Sequence, residues 1–399
     1  MQSGQWLPAC CVCSLRALSG PFKHSAAKAN VLPELANAAV GADVRLSSLW
    51  QLTRPLMRRS ISQIIRREAV TTRLLEILQS EKPILSAPMA GAAGPELVAA
   101  VCNAGGYGVI PLWGKSKEQV AAGIDELREL TDRNFAVNLN LSFPYEDQLD
   151  MCIAKGVHGV SLFWGMEPSA IARAKAGGLT VLMSVGCAQE ARTAADAGAD
   201  VIVAQGWEAG GHVWGQVSTM ALIPAVVDAV KIPVVAAGGI ADGRGMAAAL
   251  MLGASGVWIG TRLLASSEAT IHEVYRDRIL QASEADTQWS HDLYDVGWPD
   301  APHRALSNAT SRGWVDAGCA GPGFRPNENE QIGRRPNGDP VVRYQSYTPL
   351  PETSGDVEAM SLWSGQGVSL VRDVMPAADI VEDIYQGAKK RLQNGSAAL

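Results

Sequence analysis

From Pro83 onward, short runs of β-branched and apolar residues alternate with longer stretches in which apolar residues recur every three or four positions. The first spacing predicts buried strands and the second amphipathic helices, so the chain reads as consecutive parallel βαβ units. Eight strands are predicted: Ile84–Met89, Tyr107–Pro111, Phe135–Leu141, Gly159–Phe163, Thr180–Val185, Val201–Ala204, Val234–Ala237 and Val257–Ile259. Helices are predicted between them at Pro95–Asn103, Lys117–Thr131, Pro168–Ala176, Ala188–Ala197, Met220–Val230 and Gly243–Leu252. Several run into glycine, as in Asn103-Ala104-Gly105-Gly106, Ala197-Gly198 and Leu252-Gly253, where a left-handed cap favours a residue without Cβ.

Eight such units in succession suit a closed (β/α)8 TIM barrel, an α/β fold, better than a doubly wound sheet. The sequence after Met89 is Ala90-Gly91-Ala92-Ala93-Gly94, which lacks the Gly-x-Gly-x-x-Gly turn of a dinucleotide fold. Within Phe135–Leu141, alternation places Asn138 and Asn140 opposite Val137 and Leu139. In a barrel covered on both faces, such a polar row near a strand's C-terminal end points toward a site.

Beyond about residue 285 the pattern gives way to Trp-, Pro- and Gly-rich sequence, with Trp289, Trp298, Trp314, Gly321-Pro322-Gly323 and Pro336-Asn337-Gly338. Residues 286–360 are expected to form an irregular cover over the barrel mouth. A closing helix follows at Pro376–Leu392, with Ile380, Ile384 and Ala388 on one face and Lys389, Lys390 and Arg391 near its end. The expected organisation is therefore an N-terminal extension (1–56), a helical lead-in (57–82), the barrel (83–285) and a cover with its closing helix (286–399).

The 399 residues, 47% hydrophobic and 19% charged, can bury a large core, and the net charge of −6 argues against nucleic acid as a partner. The longest uncharged run, Gly245 to Thr261, contains Gly253 and Gly256 and reads as a helix followed by a strand, not a membrane span. The expectation is a soluble cytoplasmic protein, compatible with a homo-oligomer. The Arg- and Ser-rich, acid-poor first 56 residues also fit an organellar transit peptide, although a start at Met57, with Arg58, Arg59, Arg66 and Arg67 in a basic helix, is the plainer reading. Cys102, Cys152, Cys187 and Cys319 are widely spaced, as reduced thiols are, and Cys10, Cys11 and Cys13 have only His24 nearby as a further metal ligand.

Candidate chemistry gathers at the C-terminal ends of the late strands. Ala236-Ala237-Gly238-Gly239-Ile240 and Ile259-Gly260-Thr261-Arg262 end the last two strands, where glycine lets backbone N–H groups approach a phosphate and Thr261 adds a hydroxyl. Tight turns alone would also use glycine; two at these positions favour phosphate. After the sixth strand comes Gln205-Gly206-Trp207-Glu208-Ala209-Gly210-Gly211-His212-Val213-Trp214-Gly215, which presents His212 as a general base or hydrogen-bond donor. The other histidines, His24, His158, His272, His291 and His303, are read as packing or surface residues. Glu208 lies four residues before His212, but Gly210 and Gly211 oppose a helix and no third ligand stands out, so no metal is expected. Ala87-Pro88-Met89-Ala90-Gly91 offers a thioether and small residues against which a flat ring could lie, and Met89 could equally be core. No Gly-x-Ser-x-Gly elbow or Cys/His pairing suggests a nucleophile.

Taken together, Ala87-Pro88-Met89-Ala90-Gly91, Asn138, Gln205-Gly206-x-Glu208-Ala209-Gly210-Gly211-His212, Ala237-Gly238-Gly239-Ile240 and Gly260-Thr261-Arg262 resemble the nitronate monooxygenase family, formerly called 2-nitropropane dioxygenases. The resemblance runs from Pro83 to Leu280 and, more loosely, through Gly365-Gln366-Gly367. It implies a TIM barrel with noncovalent FMN that oxidises alkyl nitronates with O2 to a carbonyl compound and nitrite. It further implies that Met89, Asn138, Gln205, Gly210, Gly238, Gly239, Gly260 and Thr261 contact FMN, with His212 as catalytic base or nitro-group partner. Trp207 and Val213-Trp214-Gly215 depart from the familiar members, which bears on the substrate more than on the flavin. Alternatives are an FMN-dependent enoyl-acyl-carrier-protein reductase, an NAD(P)H:quinone reductase and a flavin-storage protein, the last leaving His212 unexplained.

Overall fold

Strands whose residues are apolar on both faces belong in the middle of a layered fold, and the computed structural model, which describes residues 72–395, sets eight of them side by side. They are β1 (Ile84–Ser86), β2 (Gly108–Pro111), β3 (Phe135–Asn140), β4 (Gly159–Phe163), β5 (Thr180–Val185) and β6 (Val201–Gln205), followed, after a two-residue strand β7 (Gly211–His212) outside the sheet, by β8 (Val234–Ala237) and β9 (Gly256–Ile259). The order β1-β9-β8-β6-β5-β4-β3-β2 is parallel throughout, and the bridge from Leu85 to Tyr107 joins β1 to β2 and closes the ring. The eight predicted strands are these eight, with ends that differ by at most three residues.

Period-two alternation divides the core in two. Leu85, Val109, Ala136, Leu182, Val203 and Val235 point into the lumen, joined by Leu74 and Leu78 from the helical residues 72–78. Their neighbours Ile84, Ile110, Val137, Ile202 and Val234 point outward against the helices. The lumen is thus a filled core, which leaves the C-terminal mouth as the place for a ligand. The extension 1–56, with Cys10, Cys11, Cys13 and His24, and the basic residues Arg58, Arg59, Arg66 and Arg67 lie outside the described residues.

Three helices of eight residues or more, without a strong apolar stripe, escape prediction. Glu146–Lys155 buries only Gln148, Leu149 and Cys152 and ends on left-handed Gly156, while Glu273–Gln281 buries only Tyr275 and Ile279. Ala309–Asp316 begins with a capping box at Asn308. The closing helix Ala377–Gly395 does present its predicted stripe, with Ile380, Val381, Ile384 and Ala388 buried against helix Gly243–Met251. Each of the large side chains there contributes about 1.5–3 kcal/mol by leaving water.

The cover is largely loop, as its composition predicts, yet two small antiparallel sheets run through it. β10 (Thr287–Ser290) pairs with β11 (His303–Leu306), and β11 pairs with β7, setting His303 opposite His212. β12 (Gln331–Arg334) lies between β13 (Pro340–Val342) and β14 (Ser354–Gly355). Among the described residues no helix is long and apolar enough to cross a membrane.

Candidate active site

The strand ends and the cover enclose a cavity of about 390 Å³ at the barrel mouth. Met89, Asn138, Gln205, Gly210, Gly238, Gly239, Gly260, Thr261 and His212 all line it, so the structure brings the predicted residues of five barrel-strand ends into one wall. Asn140, the other polar residue of β3, is spent on a turn, its Oδ1 accepting from the Ser142 N–H and hydroxyl at 2.9 and 2.8 Å. Arg262 does not line the cavity and instead pairs with Asp373 at 2.7 Å.

The glycines have different reasons. Gly238 and Gly239 have φ of 108° and 71°, conformations that a side chain strains. Gly210 crosses the 364–365 backbone so closely that a Cβ would come within 2.4 Å of the Gly365 nitrogen. Gly260 is another case: a Cβ there would meet only Ala87 at 3.5 Å and the Met89 sulfur at 3.9 Å, both ordinary contacts. Protein packing does not demand glycine at 260, and the volume a side chain would take belongs to the cavity. Thr261 Oγ1 accepts from the Gly365 N–H at 3.0 Å, so its own proton is left to donate.

Asn138 donates to the Ser161 carbonyl and hydroxyl at 3.1 and 3.3 Å, while its Oδ1, buried in the wall, has no partner. A buried acceptor without a donor is costly, and the N–H of a ring ligand would satisfy it. Gln205 serves the loop instead. Its Nε2 donates to the His212 carbonyl and its Oε1 accepts from the Trp214 N–H, both at 3.0 Å, which clamps the backbone on each side of the imidazole. Glu208 turns to the next helix, where Oε2 accepts from the Thr219 N–H and hydroxyl at 2.8 and 2.9 Å. Among the described residues no group of three or more His, Cys, Asp or Glu could hold a metal ion.

His212 sits in an aromatic box, with ring centroids 3.9 Å from Trp298, 5.2 Å from Trp363 and 5.6 Å from Trp164. Trp164 adopts a left-handed φ of 63°, a strained state held by packing against Trp298 at 5.0 Å. The Nδ1 of His212 lies 3.2 Å from the Ala301 carbonyl, which can only accept, so that nitrogen carries the proton. Nε2 then accepts from the Ser346 hydroxyl at 3.2 Å. Burial, and secondarily the neighbouring His303, push the imidazole's pKa down to about 3, against a smaller upward pull from the Ala301 carbonyl.

The same carbonyl accepts from Nδ1 of His303 at 2.9 Å, while His303 Nε2 accepts from the Tyr294 N–H at 3.1 Å. His303 is thus a fully buried packing residue, but one that also lowers the pKa of His212. His158 and His272 are also structural, partnering Tyr107 and the Val274 N–H, and His291 is on the surface. Burial pushes the Cys102 and Cys152 thiols up to about 11 and about 12, which suits inert core residues.

Trp298, Ser346 and Trp363, the partners of His212 from the cover, have no individual signature in the sequence. The one signal was the density of tryptophan and glycine after residue 285.

The nitronate monooxygenase family matches residues 71–154 and 140–387. A "probable nitronate monooxygenase" of Staphylococcus aureus is 35% identical over 370 residues, covering 80% of this chain and 98% of its own. The 5-hydroxy-7a-methyl-1-oxo-octahydro-1H-indene-4-carboxyl-CoA dehydrogenase of Mycobacterium tuberculosis is 34% identical over 355 residues, covering 82% and 98%. Among solved structures, FabK from Thermotoga maritima superposes with a TM-score of 0.68 at 32% identity, covering 82% of this chain and 99% of its own.

Proposed function

The chain belongs to the nitronate monooxygenase family and is an oxidoreductase, and from its site we propose that it is an FMN-dependent enzyme oxidising alkyl nitronates with O2 to a carbonyl compound and nitrite. Met89, Asn138, Gln205, Gly210, Gly238, Gly239, Gly260 and Thr261 would hold the cofactor, and bound flavin supplies the electron acceptor. The open cradle at Gly260 and the unpartnered Asn138 Oδ1 fit a flat ring carrying an anionic tail.

The observation that carries the reading is His212 itself, a neutral imidazole in a tryptophan box with only Nε2 free of the backbone. A nitrogen with a pKa of about 3 is too weak a base to draw a carbon proton from a neutral nitroalkane. An incoming anion changes that balance, because a negative charge beside the ring favours the imidazolium. Nitronate binding is therefore coupled to proton uptake at Nε2, which exchanges its Ser346 hydrogen bond for donation to a nitronate oxygen. Trp164, Trp298 and Trp363 exclude water from that contact, so it acts in a low dielectric.

A reductase is the second reading, supported by the likeness to FabK and to the indene-carboxyl-CoA dehydrogenase. An anaerobic titration separates the two. The expected result is bleaching of the flavin by ethyl nitronate, with His212→Asn keeping the flavin and losing about 10²–10⁴-fold in reduction rate. Bleaching by NADH alone would support the reductase.

A further inference from the structure

Of the residues lining the cavity, only Arg335 carries a fixed charge. It stands just past β12, in the tight loop to β13, where its backbone exchanges hydrogen bonds with Asp339 and Gly338 at 2.8 and 2.9 Å. Arg278 pairs with Glu358, Arg325 with Asp295 and Glu328, and Arg343 with Glu330, while Arg334 donates to the Gly338 carbonyl at 3.0 Å and Arg304 to the Trp207 carbonyl at 3.1 Å. No carboxylate among the described residues lies within ion-pair reach of Arg335. Its Nε is buried without a hydrogen-bond partner, and its guanidinium lies over the Tyr347 ring, 4.9 Å from the centroid. A planar cation that is positioned by an aromatic face, partly desolvated and without a counter-ion is a site prepared for an anion.

We propose that Arg335 anchors the carboxylate of the substrate, and that the substrate is an organic acid whose apolar body fills the aromatic part of the cavity. Tyr347, which carries the guanidinium, directly follows Ser346, which holds His212 Nε2. Arg335 and His212 both line the one cavity and are each held by one of two adjacent residues, so both can address one bound molecule with tryptophan walls around its reacting end. Two parallel N–H···O bonds from the guanidinium would fix the acid end and set which carbon reaches His212. This deepens the reading of the cavity as a substrate site and does not depend on the substrate being a nitronate.

The test is calorimetric binding of hexanoate and of its neutral isostere hexanamide to the FMN-loaded protein. Hexanoate is expected to bind at least about tenfold more tightly, an advantage that Arg335→Gln abolishes while FMN affinity stays within about twofold. Equal binding of the two probes by the native protein, or an advantage that survives in Arg335→Gln, would overturn the proposal. Loss of FMN in that variant would do the same, by assigning the guanidinium to the cofactor's phosphate. Should the variant not fold, phenylglyoxal labelling of the native protein decides: hexanoate should shield Arg335 from modification where hexanamide does not, and equal labelling would refute the anchor. No turnover enters these readouts, so failure to oxidise nitronates would leave the anchor standing.

Discussion

At the scale of single residues, the site depends on one carbonyl. Ala301 accepts from the Nδ1 atoms of both His212 and His303, so both imidazoles are held neutral with fixed tautomers. Burial puts their pKa values at about 3 and about 4, below the ordinary 6.5. The unfolded chain therefore binds protons that the folded protein refuses between pH 6.5 and about 4, and stability must fall as pH falls through that window. The limiting slope is about 1.4 kcal/mol per pH unit for each histidine. Thermal unfolding from pH 7.5 to 4.5 should show Tm flat above about pH 7 and declining below it, more gently in His303→Asn when each variant is compared with its own neutral-pH value. An unchanged slope would mean that His303 is not held neutral. His212 was legible in the sequence because glycines and a strand end surrounded it. His303 was not, since a histidine in a four-residue buried strand, His-Arg-Ala-Leu, carries no pattern to distinguish a neighbour that tunes the site from filler.

At the scale of elements, strands were easier to read than the short helices. A strand buried on both faces is a near-continuous apolar run, so β4, β5 and β8 keep their predicted ends. Helix Glu146–Lys155 covers the barrel with a few apolar residues and otherwise faces water, which leaves little periodicity to detect. The glycine turns after the last two strands were legible as a pair, but sequence could not separate glycine required by backbone conformation, as at Gly238, from glycine that protein packing does not demand, as at Gly260. That distinction predicts the outcome of Gly260→Ala. Its Cβ enters the cradle and makes only ordinary protein contacts, so Tm should shift by no more than a few degrees while FMN binds at least about tenfold more weakly. Unaltered FMN affinity, measured by fluorescence quenching, would remove Gly260 from the cofactor site.

At the scale of the whole molecule, a barrel with a filled lumen supplies rigidity and a cover built after it supplies the chemistry's surroundings. The predicted fold followed from eight repeated units, whereas the cover's two small sheets could not be foreseen because their strands are short and pair over long sequence distances. The pairing of β11 with β7 ties the cover to the barrel at His212, so the box around the imidazole exists only when both parts are folded. The central claim is that this shared cavity holds a flavin beside His212. The most direct measurement is titration of the flavin-free protein with FMN, followed by fluorescence and near-ultraviolet dichroism. Saturation at one FMN per chain with a bound-flavin dichroic band, its midpoint shifted at least about tenfold to higher FMN in Gly260→Ala, is the predicted result. A folded protein that neither changes flavin fluorescence nor develops the dichroic band in excess FMN would contradict the account.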